Sequence, residues 1–219
     1  MREILGRRRE SGSALLSAAL TCAEQWQWPV VPGAGMDHSG RGGGVRCACP
    51  RPDCPVPGAH PHDPGLLAAT CDPRMVRWWW TVRPDMPLVL ATGDRVSAVS
   101  LPAVAGARAL AAFDLLGVRL GPVIAGPTRY ALLVAPYALE ELGELLDQHD
   151  WVPTSLRYHG QGGYVVLPPS SAGTGQVRWA REPVVDEGRR APWLPGIRTV
   201  VDALVEAGRA APDGPRLMY

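Results

Sequence analysis

The chain has 219 residues whose charges nearly cancel, net +1, which excludes a protein that holds nucleic acid by bulk charge alone. Pro and Gly make up over a fifth of it, short of a disordered composition, and eight tryptophans with many Val and Leu residues supply a core. Five cysteines, an odd number with three in one cluster, argue against a disulfide framework and fit a reducing compartment with a metal.

At this length one domain is the default. The expected division is a flexible basic N-terminus over 1–11, a domain over 12–208 with a Cys/His-bearing insertion over 33–66, and a C-terminal tail over 209–219. Arg7-Arg8-Arg9 followed by Ala14–Leu20 imitates a signal peptide. However, the apolar run is short, no small-residue cleavage site follows, and Glu24-Gln25-Trp26 continues the helical pattern. No stretch reaches the length of a membrane span, so the expectation is a cytoplasmic protein without a membrane partner.

In chain order, Leu15, Leu16, Ala19, Leu20 and Ala23 form a stripe that predicts an amphipathic helix over 12–26, with Ser11 or Ser13 as N-cap. Trp28–Val31 predicts a short strand ending at Pro32, and the glycines of Gly33–Gly44 a loop. Asp72-Pro73 reads as an N-cap and first helical residue, for a helix that ends before Pro84. Strands follow at Leu88–Ala91, Val96–Leu101, Pro122–Ile124 and Tyr130–Ala135, interrupted by helices near Ala103–Leu116 and Ala138–His149. Leu156–Tyr158 and Gly163–Leu167 predict a strand pair around Gly160–Gly163. Val177–Trp179 predicts another strand, and Gly196–Ala207 a terminal helix. The fold class is α/β (α+β), with a mixed central sheet flanked by helices.

Cys47, Cys49, Cys54 and His60 make a C-x-C-x4-C-x5-H cluster in a Pro- and Gly-rich loop. Three thiolates and an imidazole are the ligand set of a closed tetrahedral zinc site, which would be structural, with His62 as an alternate fourth ligand. The plain alternative is a loop of reduced cysteines. Cys22 and Cys71 read as small core residues. Trp78, Trp79 and Trp80 point three ways from a helix, so core packing competes with stacking on bases. Glu140, Glu141, Glu144 and Asp147 form a solvated helix face or, less simply, a surface for a protein partner.

The landmarks have a recognisable order. Trp28-Pro29-Val30 precedes the cysteine cluster and Pro57-Gly58-Ala59-His60-Pro61. Ala69-Thr70-Cys71-Asp72-Pro73, the tryptophan run, Arg83-Pro84 and Ala91-Thr92-Gly93 come next, and Gly162-Gly163-Tyr164-Val165-Val166-Leu167-Pro168-Pro169-Ser170 closes the series. Over roughly residues 14–180 the chain resembles the N-terminal domain of bifunctional DNA primase/polymerases (prim-pol), of the archaeo-eukaryotic primase superfamily, in its short actinomycete stand-alone type.

The resemblance implies nucleotidyl transfer to a 3′ end by two divalent ions, Mg²⁺ or Mn²⁺, held on carboxylates. Active members carry Asp-x-Asp on the strand after Ala-Thr-Gly and a third acid before Gly-Gly-Tyr. Here Ser97 and Ser100 occupy the first region and Arg157 the third position, and no carboxylate lies between Arg95 and Phe113 or between Trp151 and Arg181. Tyr130 falls where the family's second-motif histidine is sought. Arg77, Arg83, Arg129, Arg157 and His159 are the candidates for nucleotide or nucleic-acid binding, because the resemblance implies that some of them lie near the cleft, and the glycine-rich turn with Gly162 and Gly163 can bring amides to a phosphate.

The expected function is thus a primase/polymerase-like domain without its catalytic acids, kept as a nucleotide- or nucleic-acid-binding module in DNA replication or repair. One alternative is an active primase/polymerase that gathers its acids differently, through Asp94 and Asp114. Another is a protein-interaction scaffold. No Walker-type Gly-Lys-Ser/Thr loop occurs to supply a helicase in this chain.

Overall fold

A computed structural model describes residues 2–37, 46–173 and 175–209. The α/β class holds, and the strands divide among several sheets in two compact units. One unit takes the chain up to Ala91 together with Tyr164–Arg178, and the other takes Thr92–Gly163 and the chain from Trp179 on. The core expected from length alone is therefore divided between them.

In the first unit, helix α1 (Arg2–Leu20) runs into a single π-helical stretch, Thr21–Gln25. It passes through Ser11 and Ser13, so neither caps its start. Of the apolar stripe read from the sequence, Leu15, Ala19 and Ala23 are almost without exposure, with Cys22 beside them, whereas Leu16 and Leu20 are half-buried. Helix α2 (Pro73–Val82) starts as the sequence indicates: the Asp72 carboxylate accepts from the Arg74 backbone N–H at 2.9 Å. Such a cap stabilises a helix by about 1 kcal/mol. Strand β1 (Val30–Pro32) pairs antiparallel with β4 (Leu88–Ala91), and β4 pairs antiparallel with β9 (Tyr164–Leu167). Trp28, Trp80, Leu88 and Leu167 are fully buried here, and the Trp80 indole N–H reaches the Met86 carbonyl at 2.9 Å. The hairpin of β2 (Met36–Asp37) and β3 (Arg46–Cys47) leads to the cysteine loop, and β10 (Ser171–Ala172) pairs with β11 (Gly175–Gln176).

In the second unit, β6 (Val123–Ala125), β7 (Arg129–Val134), β5 (Ser97–Pro102) and β8 (Arg157–His159) form an antiparallel run. On its far side β6 neighbours β12 (Arg178–Arg181), whose last three residues belong to this unit. Val99, Leu101, Val123, Leu132 and Val134 on one face pack with α3 (Ala103–Leu115), α4 (Leu139–Leu146) and α5 (Ile197–Arg209) in one apolar cluster. Phe113 and Leu204 are fully buried in it, each contributing about 1.5–3 kcal/mol by burial.

The expected pairing of the strands around Gly160–Gly163 does not occur. The strand before the turn pairs with β5, and the one after it with β4. The turn closes on the Ala-Thr-Gly segment instead: the Thr92 N–H donates to the Gly163 carbonyl at 2.9 Å and its hydroxyl to the Gly160 carbonyl at 2.8 Å.

Candidate functional site

The cysteine loop gathers its ligands. The sulfurs of Cys47, Cys49 and Cys54 and one ring nitrogen of His60 all lie within 4.8 Å of one another. The His60 Nε2 is 3.3 Å from the Cys47 Sγ and 3.4 Å from the Cys54 Sγ. A tetrahedral ion with bonds of about 2.3 Å to sulfur and about 2.0 Å to nitrogen gives an S···N edge of about 3.5 Å, so the donors fit. On its other side the ring has Nδ1 2.9 Å from the Pro61 carbonyl, where it can donate and leave Nε2 as the electron-pair donor. His60, and not His62, is the histidine among the sulfurs.

The loop is fastened by backbone bonds. The Ala34 N–H donates to the His60 carbonyl at 2.8 Å, and the Gly58 N–H to the Cys47 sulfur at 3.2 Å. Burial works to raise the Cys47 thiol, but the N–H groups of Gly58 and Cys49 and the His60 ring outweigh it and hold it down at about 6. At Cys54, burial and the neighbouring sulfurs push the thiol up to about 11. Cys47 therefore forms its thiolate before Cys54 does. The cluster can hold a metal ion.

The second candidate region lies on the five-stranded sheet. Successive residues of a strand face opposite ways. Ser97 shares its face with Val99 and Leu101, whereas Ser100 faces the other way with Ala98 and Pro102. The serines are three residues apart and cannot line one site, so the expected Ser97–Ser100 pair is corrected here. The buried Ser97 hydroxyl has no hydrogen-bond partner among the described residues. An Asp-x-Asp spacing on Ser100's face would fall at Ala98 and Ser100 or at Ser100 and Pro102.

Ser100 does meet Arg129, Arg157 and His159 among the predicted basic residues. It stands opposite Arg157 in the β5–β8 ladder, and Ala98 opposite His159. The Ser100 hydroxyl is 2.9 Å from the His159 Nε2 and accepts from the Arg129 Nε at 3.1 Å. The Arg129 Nη2 donates to the Ser100 and Ser155 carbonyls, each at 2.7 Å. Burial, and the charge of Arg157 beside it, lower the Arg129 guanidinium to about 10. Arg157 itself is exposed. The Ser155 anchor escaped the sequence reading, because nothing in a lone serine announces that its carbonyl will meet a guanidinium.

The glycines of the neighbouring turn have a structural reason. Gly162 has φ +76°, and the Gly163 N–H is already given to the Gly160 carbonyl at 3.0 Å. The Gly163 amide is therefore spent inside the turn and does not reach out to a phosphate. Tyr130 lies opposite Leu101, on the helix-covered face away from Ser100.

The two rescue carboxylates are each paired with an arginine: Asp94 with Arg95 at 3.2 Å, and Asp114, near the end of α3, with Arg181. Trp79 and Trp80 are buried, and only Trp78 of the run is exposed. The side chains of Arg7–Arg9 lie outside the described residues, as does the tail over 210–219. No helix among the described residues is long and apolar enough to cross a membrane.

Residues 19–196 match the family model described as bifunctional DNA primase/polymerase, N-terminal. No curated protein and no solved structure matches the chain. The matched range takes in both the cysteine cluster and the Ser100 face, and it covers most of the chain. The protein therefore belongs to the family of the bifunctional DNA primase/polymerase N-terminal domain.

Proposed function

We propose that this domain has lost the polymerising metal centre of its family and serves as a nucleotide- or nucleic-acid-binding module in the cytoplasm, linked to DNA replication or repair. The observation that carries the reading is the Ser100 face of the sheet. Arg129, Arg157 and His159 gather there around a serine, and a hydroxyl is a poor ligand for Mg²⁺ beside a carboxylate. Arg157 would also repel a divalent ion from that position. Two-metal phosphoryl transfer needs the opposite charge at this place.

Zinc is the metal we assign to Cys47, Cys49, Cys54 and His60. Three thiolates and an imidazole complete a tetrahedral shell with no open position, which suits a structural ion. Bound there, it would cross-link β3 to the loop that follows it. Protein purified without a polyhistidine tag should carry about one equivalent per chain, and Cys54→Ala should lower that content. A metal-free protein with the loop fully ordered would refute the assignment.

Primer extension tests the main reading. With a primed template, nucleoside triphosphates and Mg²⁺ or Mn²⁺, no incorporation is expected, while a labelled single-stranded oligonucleotide or a nucleotide still binds. Extension abolished by Asp94→Ala or Asp114→Ala would establish an active polymerase with a rearranged site. Absence of any binding, together with protein partners lost on charge reversal of α4, would establish a scaffold.

A further inference from the structure

We infer that Arg129, Arg157 and His159 form a phosphate site that works without a divalent metal ion. The inference rests on the reading of this sheet face as the ligand site, and it names the group recognised there and the means of recognition.

The charges are the first argument. Two guanidinium groups share one face of three adjacent strands, Arg129 on β7 and Arg157 on β8, with Ser100 of β5 between them. They are close enough for the charge of Arg157 to act on Arg129. Like charges brought together in a partly desolvated place repel, and the repulsion grows as the local dielectric falls. An anion placed between them relieves it.

The second argument is the absence of a built-in counter-ion. Arg46, Arg77, Arg83, Arg95, Arg119, Arg181 and Arg209 each sit within ion-pair distance of a carboxylate. Among the described residues, Arg129 and Arg157 have no such pair; several exposed arginines also lack one, and what sets Arg129 apart is that it is half-buried without one. Arg129 spends Nε and Nη2 on Ser100 and Ser155, which fixes the plane of the guanidinium and leaves Nη1 as its remaining donor. A guanidinium held in plane by neutral acceptors is preorganised to present its charge and a fixed donor to a phosphate oxygen.

The third argument concerns what a metal would meet. In a two-metal site the ions supply the positive charge and the protein supplies carboxylates. Here the protein supplies positive charge directly, and a divalent cation would meet the charges of two arginines. The ligand class is thus a phosphate-bearing molecule, with two sources to separate: the triphosphate of a free nucleotide and the backbone of a single strand. His159, on the same face, sits 2.9 Å from the Ser100 hydroxyl and helps to hold that hydroxyl between the arginines.

The test is equilibrium binding with the full chain in buffer freed of divalent ions over a chelating resin, which leaves metal held in the cysteine loop in place. The probes are ATP, inorganic tripolyphosphate and a single-stranded oligonucleotide, each with and without added Mn²⁺. Binding without metal is expected, weakened about tenfold or more by Arg157→Ala, since a charge-assisted hydrogen bond to the ligand is lost. Arg157 is exposed, so this variant should fold, and Arg157→Lys should recover part of the affinity.

Tripolyphosphate competing with ATP supports a nucleotide triphosphate as the source. Oligonucleotide binding whose salt slope falls by about one in Arg157→Ala supports a strand backbone. Binding that appears only with Mn²⁺ overturns this inference and also the loss of the metal centre, and favours the active-polymerase alternative. Metal-free binding unmoved by Arg157→Ala overturns this inference and leaves the binding-module reading intact. No binding of any probe in either condition overturns both.

Discussion

Two glycines beside the basic face should respond very differently to a single methyl group. Gly93 has φ +114°, and a Cβ there would lie 2.3 Å from the Gln161 Cα and 2.7 Å from the Gln161 backbone nitrogen. Gly162, in the facing turn, has φ +76° and nothing within 4 Å of its added Cβ. Gly162→Ala thus carries only the left-handed strain of about 1–2 kcal/mol, offset in part by about 0.4–1 kcal/mol from a stiffer unfolded chain. Gly93→Ala carries backbone strain of about 1–3 kcal/mol and a steric term of about 1–3 kcal/mol against backbone atoms that cannot swing aside.

With the same unfolded-chain offset applied to both, the sum for Gly93→Ala is about 1–6 kcal/mol against about 0–1.6 kcal/mol for Gly162→Ala. At about 2–4 °C of Tm per kcal/mol for a chain of this size, thermal melts followed by circular dichroism resolve the two. Phosphate-ligand affinity should fall with Gly93→Ala as well, because the Thr92–Gly163 and Thr92–Gly160 bonds hold the turn next to His159. Gly162→Ala should leave that affinity near wild type. Equal losses in the two variants would show that local strain, and not the approach of two backbones, governs this turn.

Ser170→Ala removes the buried hydroxyl that accepts from the Leu88 N–H at 2.8 Å, and the orphaned donor should cost about 1–3 kcal/mol in chemical denaturation. An unchanged midpoint would mean that the amide finds another acceptor. Burial holds the Tyr137 hydroxyl up at about 12, and burial with the neighbouring Tyr137 raises Tyr158 in the same direction. Their protonated forms are favoured in the folded state, so this stability is fully present below the unfolded value of about 10 and is lost as pH rises from there towards 12. Denaturant midpoints at stepped alkaline pH should therefore fall across that window, and folded Tyr137→Phe should show less late phenolate absorbance. Cys22, 2% exposed with its thiol raised by burial, should stay unreactive to thiol reagents until the protein unfolds.

Several features were legible because the groups that make them are neighbours in the chain. Cys47, Cys49, Cys54 and His60 sit in one short loop, so their spacing already limits the site they can form. Asp72-Pro73 starts α2 through a bond between residues two apart, and the stripe from Leu15 to Ala23 needs only helical periodicity to define a buried face. The family, too, was readable from the order of short motifs.

The tertiary structure decided what depends on distant partners. Whether Ser97 or Ser100 faces the arginines is set by the register of β5 against β7 and β8, and a slip of one residue would exchange the two faces. The turn at Gly160–Gly163 could close a hairpin on local grounds, yet its flanking strands find better partners in β5 and β4, which lie far away in sequence. Among three adjacent tryptophans, packing of α2 against α1 and β1 chose Trp79 and Trp80 for the interior and left Trp78 outside. Side-chain chemistry and local spacing are properties of the sequence. Which side chains share a face is a property of strand pairing, and pairing is a long-range contest that no short window of sequence contains.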